Sequence, residues 1–299
     1  MKPIICVGHA ALDFVYRIEA FPPVPTKVRS LEHIESGGGM AANAAATIAR
    51  LGGAVELWSR TGADSAGTRI HAFLEQEGVD IRYVRTYEGA RSSTSAVIVD
   101  GKGERLIIGE RDHAMSMDAS WLPLEHIAAA AAVLSDLRWV EGTRAAFTAA
   151  REAGIPTLLD ADLAGGGFLE EFLCLADYAI FSAPALDGFS PGASDAERLA
   201  RVLSLGVKHA GVTRGAEGYT WAGAGGQAGH QPAFEIEIVD TTGAGDAFHG
   251  AFAWALASRH APADCTRIAA AVSALKCRRL GARSGLPTLE ELNSFLKTH

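Results

Sequence analysis

The stretch Asp240-Thr241-Thr242-Gly243-Ala244-Gly245-Asp246 is followed, from Ala247 to about Ala257, by residues that are almost all apolar. A helix that is apolar on every side is normally buried in a protein core. Here the helix follows a Gly-Ala-Gly turn, whose small residues let another molecule approach the backbone closely. The N–H groups at a helix start attract anions, and phosphate is the usual one. A phosphate cradle with the carboxylate of Asp246 in its first turn indicates phosphoryl transfer to a hydroxyl group.

The same stretch also fits a purely structural helix start. Thr241 or Thr242 would then be the N-cap residue, whose hydroxyl accepts a hydrogen bond from the first helical turn. The stretch alone does not distinguish these two interpretations.

A second glycine-rich stretch, Ser36-Gly37-Gly38-Gly39-Met40-Ala41-Ala42-Asn43, opens an Ala-rich helix that ends near Gly52. From Gly37 it also fits the dinucleotide-binding fingerprint G-x-G-x-x-A, with Glu56 at a suitable distance beyond it. That fingerprint needs a buried strand directly before it, and residues 29–35 are too polar for a central parallel strand. The stretch is therefore interpreted as a loop whose backbone approaches a polar small molecule.

The chain has 299 residues, of which 48% are hydrophobic and 21% charged, and its net charge is −8. This composition is typical of a globular protein, and the negative charge argues against binding to nucleic acid or to a membrane surface. No apolar stretch is long enough to span a bilayer and no basic leader precedes an apolar run, so we expect a cytoplasmic protein. The four cysteines are scattered without a C-x-x-C pair, which favours reduced, structural thiols over a zinc site.

Short apolar runs such as residues 4–8 predict buried strands, and from about residue 128 such runs alternate with helical segments. That alternation predicts a mainly parallel sheet covered by helices on both faces. Residues 14–35 and 93–108 instead show the pattern of exposed strands, with a hairpin turn at 100–103. We expect these two segments to pair as a small separate sheet, a lid on one domain that spans residues 1–299.

Together with Phe248 and Gly250, the two glycine-rich stretches resemble the signatures of the ribokinase-like, or PfkB-type, carbohydrate kinases. The resemblance covers essentially the whole chain, and two signatures in the correct order are far more specific than either alone. The resemblance implies a ribokinase-like three-layer α/β sandwich, with a mainly parallel central sheet flanked by helices and a small β-sheet lid. It also implies ATP and Mg2+ as cofactors.

The resemblance assigns the chemistry to the first stretch. Asp246 would be the base that accepts or orients the proton of the attacking hydroxyl, and the backbone of Gly243, Ala244 and Gly245 would form the anion hole. Because a carboxylate at a helix start is stabilised by the helix dipole, we expect Asp246 to be ionised at neutral pH. The residues that would hold the sugar hydroxyls are Asp13, Gly38, Gly39 and Asn43.

The resemblance also implies a nucleotide site made of two loops. The residues that would meet the phosphates and ribose are Thr213, Arg214, Gly215 and Gly218, together with Gly243 and Gly245. The turn from Lys276 to Gly285, including Gly281, resembles the loop that holds adenine. Asp240 and Thr242, with carbonyls of that turn, correspond to the place where many relatives bind a monovalent cation such as K+.

One departure from the family concerns the divalent metal. Family members carry N-x-x-E at the end of a middle strand, where this chain has Ser182-Ala183-Pro184-Ala185. The Glu that would order the Mg2+ waters is therefore missing. Asp160, Asp162 and Glu217 are candidate substitutes, although both aspartates also fit a turn-capping role.

Within the family, the chain most resembles bacterial sulfofructose kinases, which phosphorylate 6-deoxy-6-sulfofructose at its C1 hydroxyl. The stretches that carry this resemblance are 134–139, 182–186, 230–234 and 274–277. A sulfonate requires fixed cations, and arginine suits it because its guanidinium donates a planar fork of hydrogen bonds. Lys27 and Arg138 match that subgroup, and Arg105 and Arg111 are added by position. Gly109 stands where the subgroup carries an Asn that helps to bind the anion.

The sequence thus predicts an ATP-dependent kinase of a ketose that carries an anionic group such as the 6-sulfo group. The alternatives are a kinase of a neutral sugar or sugar acid (fructose, ribose or 2-keto-3-deoxygluconate), a nucleoside kinase, or a non-catalytic sugar or nucleotide sensor. The exposed strands of the lid, and the resemblance, predict a homodimer formed through the lids.

Overall fold

The computed structural model describes residues 2–162, 167–192 and 194–299. Within these residues the chain forms thirteen strands and nine α-helices. The strands are β1 Ile4–Val7, β2 Ala11–Arg17, β3 Glu32–Gly38, β4 Val55–Gly62, β5 Asp80–Tyr87, β6 Ser93–Val99, β7 Arg105–Glu110, β8 Ala132–Asp136, β9 Thr157–Ala161, β10 Tyr178–Ser182, β11 His209–Thr213, β12 Tyr219–Gly223 and β13 Ala228–Gln231. The helices are α1 Met40–Arg50, α2 Ser65–Gln76, α3 Val140–Ala153, α4 Leu169–Leu173, α5 Ala183–Phe189, α6 Asp195–Leu203, α7 Ala244–Ala257, α8 Pro262–Lys276 and α9 Leu289–Thr298.

Nine strands form the central sheet, in the order β13-β12-β11-β10-β9-β8-β1-β4-β5. The strands from β11 to β5 are parallel, whereas β12 and β13 join one edge in antiparallel pairing. Interior strands such as β1 are short apolar runs, because helices cover both of their faces. The predicted mainly parallel sheet is therefore confirmed.

Two hydrophobic cores lie on opposite faces of this sheet. Successive residues of β1 enter different cores, so that Ile4 and Cys6 pack in the first and Ile5 and Val7 in the second. Residues of α1, α7 and α8 contribute to the first core, and residues of α3, α5 and α6 contribute to the second. The result is the three-layer sandwich that the family resemblance implies.

The remaining four strands form a small separate sheet, the lid, in the order β3-β2-β6-β7. Strand β2 pairs antiparallel with β3 and parallel with β6, and β6 and β7 form the predicted hairpin. The small core of the lid consists of Val15, Val97 and Val99, with Ile34 and Leu280 packed against it. The strand that leads into Gly37–Gly39 thus belongs to the lid and not to the central sheet, which rules out the dinucleotide-binding interpretation of that stretch.

Helix α7 begins earlier than predicted, at Ala244, and its N-cap is Gly243 with a φ of 73°. The predicted capping role of Thr241 or Thr242 is wrong, since no side chain caps this helix. The chain turns in a left-handed conformation at Gly243, where an added Cβ would stand 2.8 Å from the Cβ of Ala282. In the described part of the chain, no helix is long and apolar enough to cross a membrane.

Two elements of the central sheet region were not predicted. Strand β5 is an edge strand whose polar residues, among them Asp80, Arg82 and Arg85, hide the apolar alternation of a strand. Helix α5 starts directly after β10, with Pro184 in its first turn, where proline is favoured.

Candidate active site

A cleft of about 1490 Å³ opens between the carboxyl ends of the central strands, the lid and the start of α7. Parallel α/β sheets bind their ligands at this edge, because the loops after each strand converge there. Both predicted motifs reach the cleft, through Gly39 and Asn43 on one side and Gly243 to Asp246 on the other. The cleft has room for a nucleotide and a sugar.

The first turn of α7 brings a carboxylate and backbone N–H groups into the cleft together. Gly243, Ala244, Gly245 and Asp246 all line it, and an added Cβ at Gly245 would meet no atom within 4 Å. The Ala244 N–H also donates to Thr241 O at 3.2 Å. A helix start of this kind can bind an anion through its backbone N–H groups, and here the carboxylate of Asp246 lies in the same first turn.

Asp246 is held by a hydrogen bond from the second motif, since Asn43 Nδ2 donates to Asp246 Oδ2 at 2.7 Å. Burial raises the pKa of Asp246, and the Asn43 hydrogen bond and the nearby His249 oppose that rise. The sequence predicted an ionised carboxylate from the helix dipole alone. That prediction left out the burial of Asp246, which disfavours the charged form.

Arg283 is a site residue that the sequence analysis missed. Its Nε donates to Asn43 Oδ1 at 2.8 Å and its Nη2 donates to Gly38 O at 3.2 Å. The guanidinium is buried, and this burial lowers its pKa to about 10. It fits because Gly37 has no side chain: an added Cβ there would stand 2.2 Å from Arg283 Nη1. In the sequence, Gly37 and Gly38 indicated only a close approach to the backbone. Nothing indicated that an arginine makes that approach.

Asp13, predicted to hold the sugar, lines the cleft beside the second motif. It is buried, and burial raises its pKa to about 6, although a hydrogen bond with Ser95 opposes this rise. Gly39 lines the cleft with a φ of 88°. Gly38, predicted to hold the sugar, is not among the lining residues; it makes room for Asp13, whose carboxylate would stand 2.3 Å from an added Cβ.

Three cationic side chains line the cleft, as predicted: Arg105, Arg111 and Arg138. Arg105 lies at the first motif, where its Nη1 donates to Thr241 Oγ1 at 2.7 Å, and Arg138 Nη2 lies 3.8 Å from Asp162 Oδ2. Burial and the positive charge of Arg138 lower the pKa of Arg111. Lys27, in contrast, is exposed in the loop between β2 and β3 and is not among the lining residues.

His9 was not predicted as a site residue, yet it lines the same cleft. Its pKa is lowered to about 3, first by burial and then by the charges of Arg111, Arg138 and Arg60. Its imidazole is therefore neutral at physiological pH and adds no positive charge beside these arginines. The sequence offered no signal for this role beyond the position of His9 at the end of β1.

The predicted nucleotide loop also lies at the cleft, where Thr213, Arg214, Gly215 and Gly218 are lining residues. Arg214 is already occupied by two carboxylates, since its Nη2 lies 2.9 Å from Asp187 Oδ1 and 2.5 Å from Asp195 Oδ1. These ion pairs raise the pKa of Arg214 and hold it against α5 and α6. Its loop is thus fixed before any nucleotide arrives.

Of the predicted adenine turn, Cys277 lines the cleft, whereas Lys276 and Gly281 do not. Lys276 is fully buried, and its Nζ donates to Asp240 O at 2.7 Å. Gly281 N donates to Asp240 Oδ2, and Thr242 N donates to Asp240 Oδ1, both at 2.7 Å. Both residues therefore hold Asp240, and their nucleotide-binding roles stay predictions.

The three candidate substitutes for the missing metal-binding Glu, Asp160, Asp162 and Glu217, all line the cleft. Burial raises the pKa of Asp160 to about 7, which the nearby His249 opposes. His249, not predicted as a site residue, lies with Nδ1 2.7 Å from Gly245 O and Nε2 3.5 Å from Asp160 Oδ1. Among the residues that the structure describes, no group of three or more His, Cys, Asp or Glu is arranged to hold a metal ion.

Comparisons with known proteins agree with this geometry. The profile of the pfkB family carbohydrate kinases matches residues 1–289. An ATP-dependent ribose-1-phosphate kinase from Halopiger xanaduensis is 29% identical, over 99% of this chain and 98% of that protein. A provisionally assigned ribokinase from Agrobacterium tumefaciens is 35% identical, with a TM-score of 0.94 over 99% of this chain and 98% of that one. Arabidopsis thaliana ribokinase, solved with ribose and ATP, is 26% identical, with a TM-score of 0.85 over 99% of both chains.

The similarity therefore extends over the whole architecture, lid included, and over both glycine-rich motifs. Ribokinase-type relatives have been solved with ATP and with Mg2+. The chain belongs to the pfkB family of carbohydrate kinases.

Proposed function

We propose that this carbohydrate kinase transfers the γ-phosphoryl group of ATP to a hydroxyl of a ketose that carries an anionic group, such as 6-deoxy-6-sulfofructose. The observation that carries the anionic part is the pair Arg111 and Arg138 on the cleft wall. Arg138 is partly buried and Arg111 is exposed at the cleft. Like charges near each other repel, and a bound anion relieves that repulsion. Their fork geometry suits the oxygen atoms of a sulfonate or phosphate.

The proposed chemistry needs an in-line approach of the sugar hydroxyl to the γ-phosphorus. Asp246 accepts the hydroxyl proton, and it is held for this by Asn43. The backbone at Gly243 and Gly245 stabilises charge on the transferring group. Asp13 lies at the far side of this position and accepts hydrogen bonds from the sugar hydroxyls.

Mg2+ fits the cleft as a partner of the ATP phosphates. It usually keeps several waters and is bound by one or two carboxylates together with the phosphates. Asp160 lies near the carboxyl end of β9 and Asp162 directly follows that strand, and both line the cleft, so they supply such carboxylates in place of the missing Glu. When bound, Mg2+ neutralises phosphate charge, while the positions of Asp246 and the sugar are set by the chain itself.

One further observation supports an anionic substrate. The similar protein from Halopiger is by name a kinase of ribose 1-phosphate, a sugar that carries a phosphate group. Gly109 counts against the sulfofructose kinase subgroup, because it stands where that subgroup carries an anion-binding Asn. It lines the cleft, and an added Cβ there would meet only Ser95 Oγ, at 3.8 Å.

We also propose that the functional unit is a homodimer formed through the lids. All residues of β7 are exposed, and Leu106 and Ile108 are 51% and 63% exposed. Leu106 and Ile108 alternate along β7 with Arg105, Ile107 and Gly109, which line the cleft. Leu106 and Ile108 therefore project from the face of the lid that is turned away from the cleft. An edge strand with large exposed apolar side chains is a template for pairing with a second copy.

The substrate is tested by an assay of ADP release with a panel of sugars: 6-deoxy-6-sulfofructose, fructose 6-phosphate, ribose 1-phosphate, fructose, ribose, 2-keto-3-deoxygluconate and a nucleoside. The expected result is the highest kcat/KM with an anionic ketose. Turnover of the neutral sugars alone would contradict the anionic-substrate proposal. The absence of ADP release with every sugar in the presence of Mg2+ would favour a sensor.

Variants that remove one positive charge test which arginine binds the anionic group of the substrate. Arg111→Gln and Arg138→Gln are each expected to raise KM for the anionic ketose and to leave KM for ATP unchanged. Loss of one such hydrogen-bonded ion pair corresponds to about 2 kcal/mol, or about 30-fold in kcat/KM. The matched control is Arg201→Gln, which removes an exposed arginine of α6 away from the cleft.

A further inference from the structure

The position at which relatives bind a monovalent cation is already filled by a side chain of this protein. Asp240 is completely buried, and each of its three oxygen atoms accepts a hydrogen bond from a protein donor. Two of these donors are the backbone N–H groups of Thr242 and Gly281, and the third is the Lys276 ammonium. Each oxygen keeps a second lone pair, but a K+ ion that bound here would stand beside the Lys276 ammonium and be repelled by it, so K+ does not fit next to this side chain.

We propose that the Lys276 ammonium replaces the monovalent cation, so that phosphoryl transfer by this protein does not depend on K+. Lys276 Nζ lies 2.7 Å from the Asp240 carbonyl oxygen. Burial lowers the pKa of Lys276, and the charge of Asp240 opposes this by favouring the protonated form, which carries one positive charge as K+ does. Asp240 opens the motif that ends in Asp246. The ammonium therefore places a fixed charge beneath the loop that receives the transferring phosphoryl group.

The surroundings of Lys276 hold it at this place. It is the last residue of α8, and Ser273, one turn earlier, donates through its hydroxyl to Ala244 O at 2.9 Å. Cys277 O, the next carbonyl, accepts from Val239 N at 2.9 Å and from Asp240 N at 3.2 Å. The end of α8 and the start of α7 are thus tied together on both sides of the ammonium.

One remaining group could still serve a cation. The Thr242 hydroxyl is buried and has no hydrogen-bond partner among the described residues. A single neutral hydroxyl does not make a cation site, because a buried charge needs several oxygen ligands to replace its water. Gly285 leaves no room for another ligand, since an added Cβ there would stand 2.2 Å from Lys276 O.

The first test uses the native full-length protein. Its thermal unfolding midpoint and its rate are measured at constant ionic strength in the chlorides of tetramethylammonium, Na+ and K+. We expect no difference among the three salts in either measurement. A several-fold stimulation of the rate by K+, or a specific rise of the midpoint in K+, would overturn the proposal.

The second test uses two variants of Lys276 and one control. Lys276→Met fills the space without a charge, and we expect kcat to fall by about 10²-fold or more, with no recovery in K+. Lys276→Ala leaves a cavity beside Asp240, and we expect K+ to restore kcat and to raise the unfolding midpoint. Lys297→Met, at the exposed end of α9, should behave as the native protein does.

Each outcome of the variants decides the question. Native-like kcat of Lys276→Met would show that the charge is unimportant, and a lack of any K+ effect on Lys276→Ala would show that the two cations are not equivalent. Should neither variant fold, the salt test on the native protein still decides. The rate readout rests on the proposed kinase function, but the unfolding midpoint needs no substrate, so failure of one proposal is distinguishable from failure of the other.

Discussion

Arg283 Nε donates to Asn43 Oδ1 at 2.8 Å, and Asn43 Nδ2 donates to Asp246 Oδ2 at 2.7 Å. Because a guanidinium has only donors, it draws the oxygen of the Asn43 amide toward itself and leaves the NH2 group to face Asp246. Three segments that lie far apart in the sequence thus orient one carboxylate. The carboxylate accepts a hydrogen bond on Oδ2 that keeps it aimed into the cleft.

This chain of hydrogen bonds predicts the effect of removing Arg283. Arg283→Ala should lower kcat, because the Asn43 amide is then free to rotate, and should lower the free energy of unfolding by about 3 kcal/mol for two lost charge-assisted hydrogen bonds. Steady-state kinetics and urea unfolding measure the two effects. Arg279→Ala, an exposed arginine of the same turn, is the control. A native-like kcat of Arg283→Ala would contradict the positioning role.

The base assignment is tested at Asp246 itself. Asp246→Asn keeps the size of the side chain but removes the proton acceptor, and we expect kcat to fall by about 10²- to 10⁴-fold. Binding of ATP and of sugar, measured by calorimetry, should change little. Asp264→Asn, at the exposed start of α8, should be native-like in every measurement. If Asp246→Asn retained near-normal kcat, another group would have to accept the proton.

The pH profile should report the burial of Asp246. Because burial raises its pKa, kcat/KM is expected to fall on the acid side at a pH above the usual range of carboxylates. Asn43→Ala removes a hydrogen bond that favours the ionised form, so the acid limb should move to higher pH. The other charged groups that act on Asp246 are His249, Asp162 and Asp136. Asn293→Ala, an exposed residue of α9, should leave the limb in place.

We predict that the ionised carboxylate of Asp13 lowers the free energy of unfolding, because it is buried in the cleft. Its folded pKa of about 6 lies above the ordinary value of 3.8, so between these values the native state binds more protons than the unfolded state. The free energy of unfolding therefore falls as pH rises through this window, and the whole cost is present above pH 6. We expect Asp13→Asn to be more stable than the native protein by about 3 kcal/mol at pH 8, with little difference at pH 4. Urea unfolding at both pH values checks this, and equal stability at pH 8 would contradict it.

The proposed dimer is tested by placing a charged side chain on the exposed outer face of the lid. Ile108→Glu places a carboxylate on the most exposed of the three β7 residues Leu106, Ile107 and Ile108, and it should convert a dimer into a monomer. Light scattering coupled to size exclusion measures the mass at micromolar concentration. Leu289→Glu, which adds the same charge at the exposed start of α9, should leave the dimer intact. A native protein that is monomeric at this concentration would refute the lid dimer.

Most of the fold was readable from local patterns. Apolar runs such as β1 are recognisable because a strand buried on both faces excludes polar residues, and the hairpin β6–β7 because its turn and alternation are local. Strand β5 was missed because it lies at an edge, where charged residues are tolerated on the solvent side. Helix α7 was predicted to begin at Ala247 but begins at Ala244, because the left-handed residue Gly243 lets the chain enter the helix there.

The candidate site likewise contains some features that the sequence determined and others that only the tertiary structure decided. The sequence by itself determined the family, the phosphate-binding start of α7 and the identity of Asp246 as the candidate base, because those features lie within two continuous motifs whose residue types fix their own backbone. Only the tertiary structure decided that Arg283 holds Asn43, that Lys27 lies away from the cleft, and that Lys276 is buried against Asp240. Such pairings join segments that are distant in the chain, and burial, which sets both their partners and their charge, exists only once the sheet, the helices and the lid have packed together.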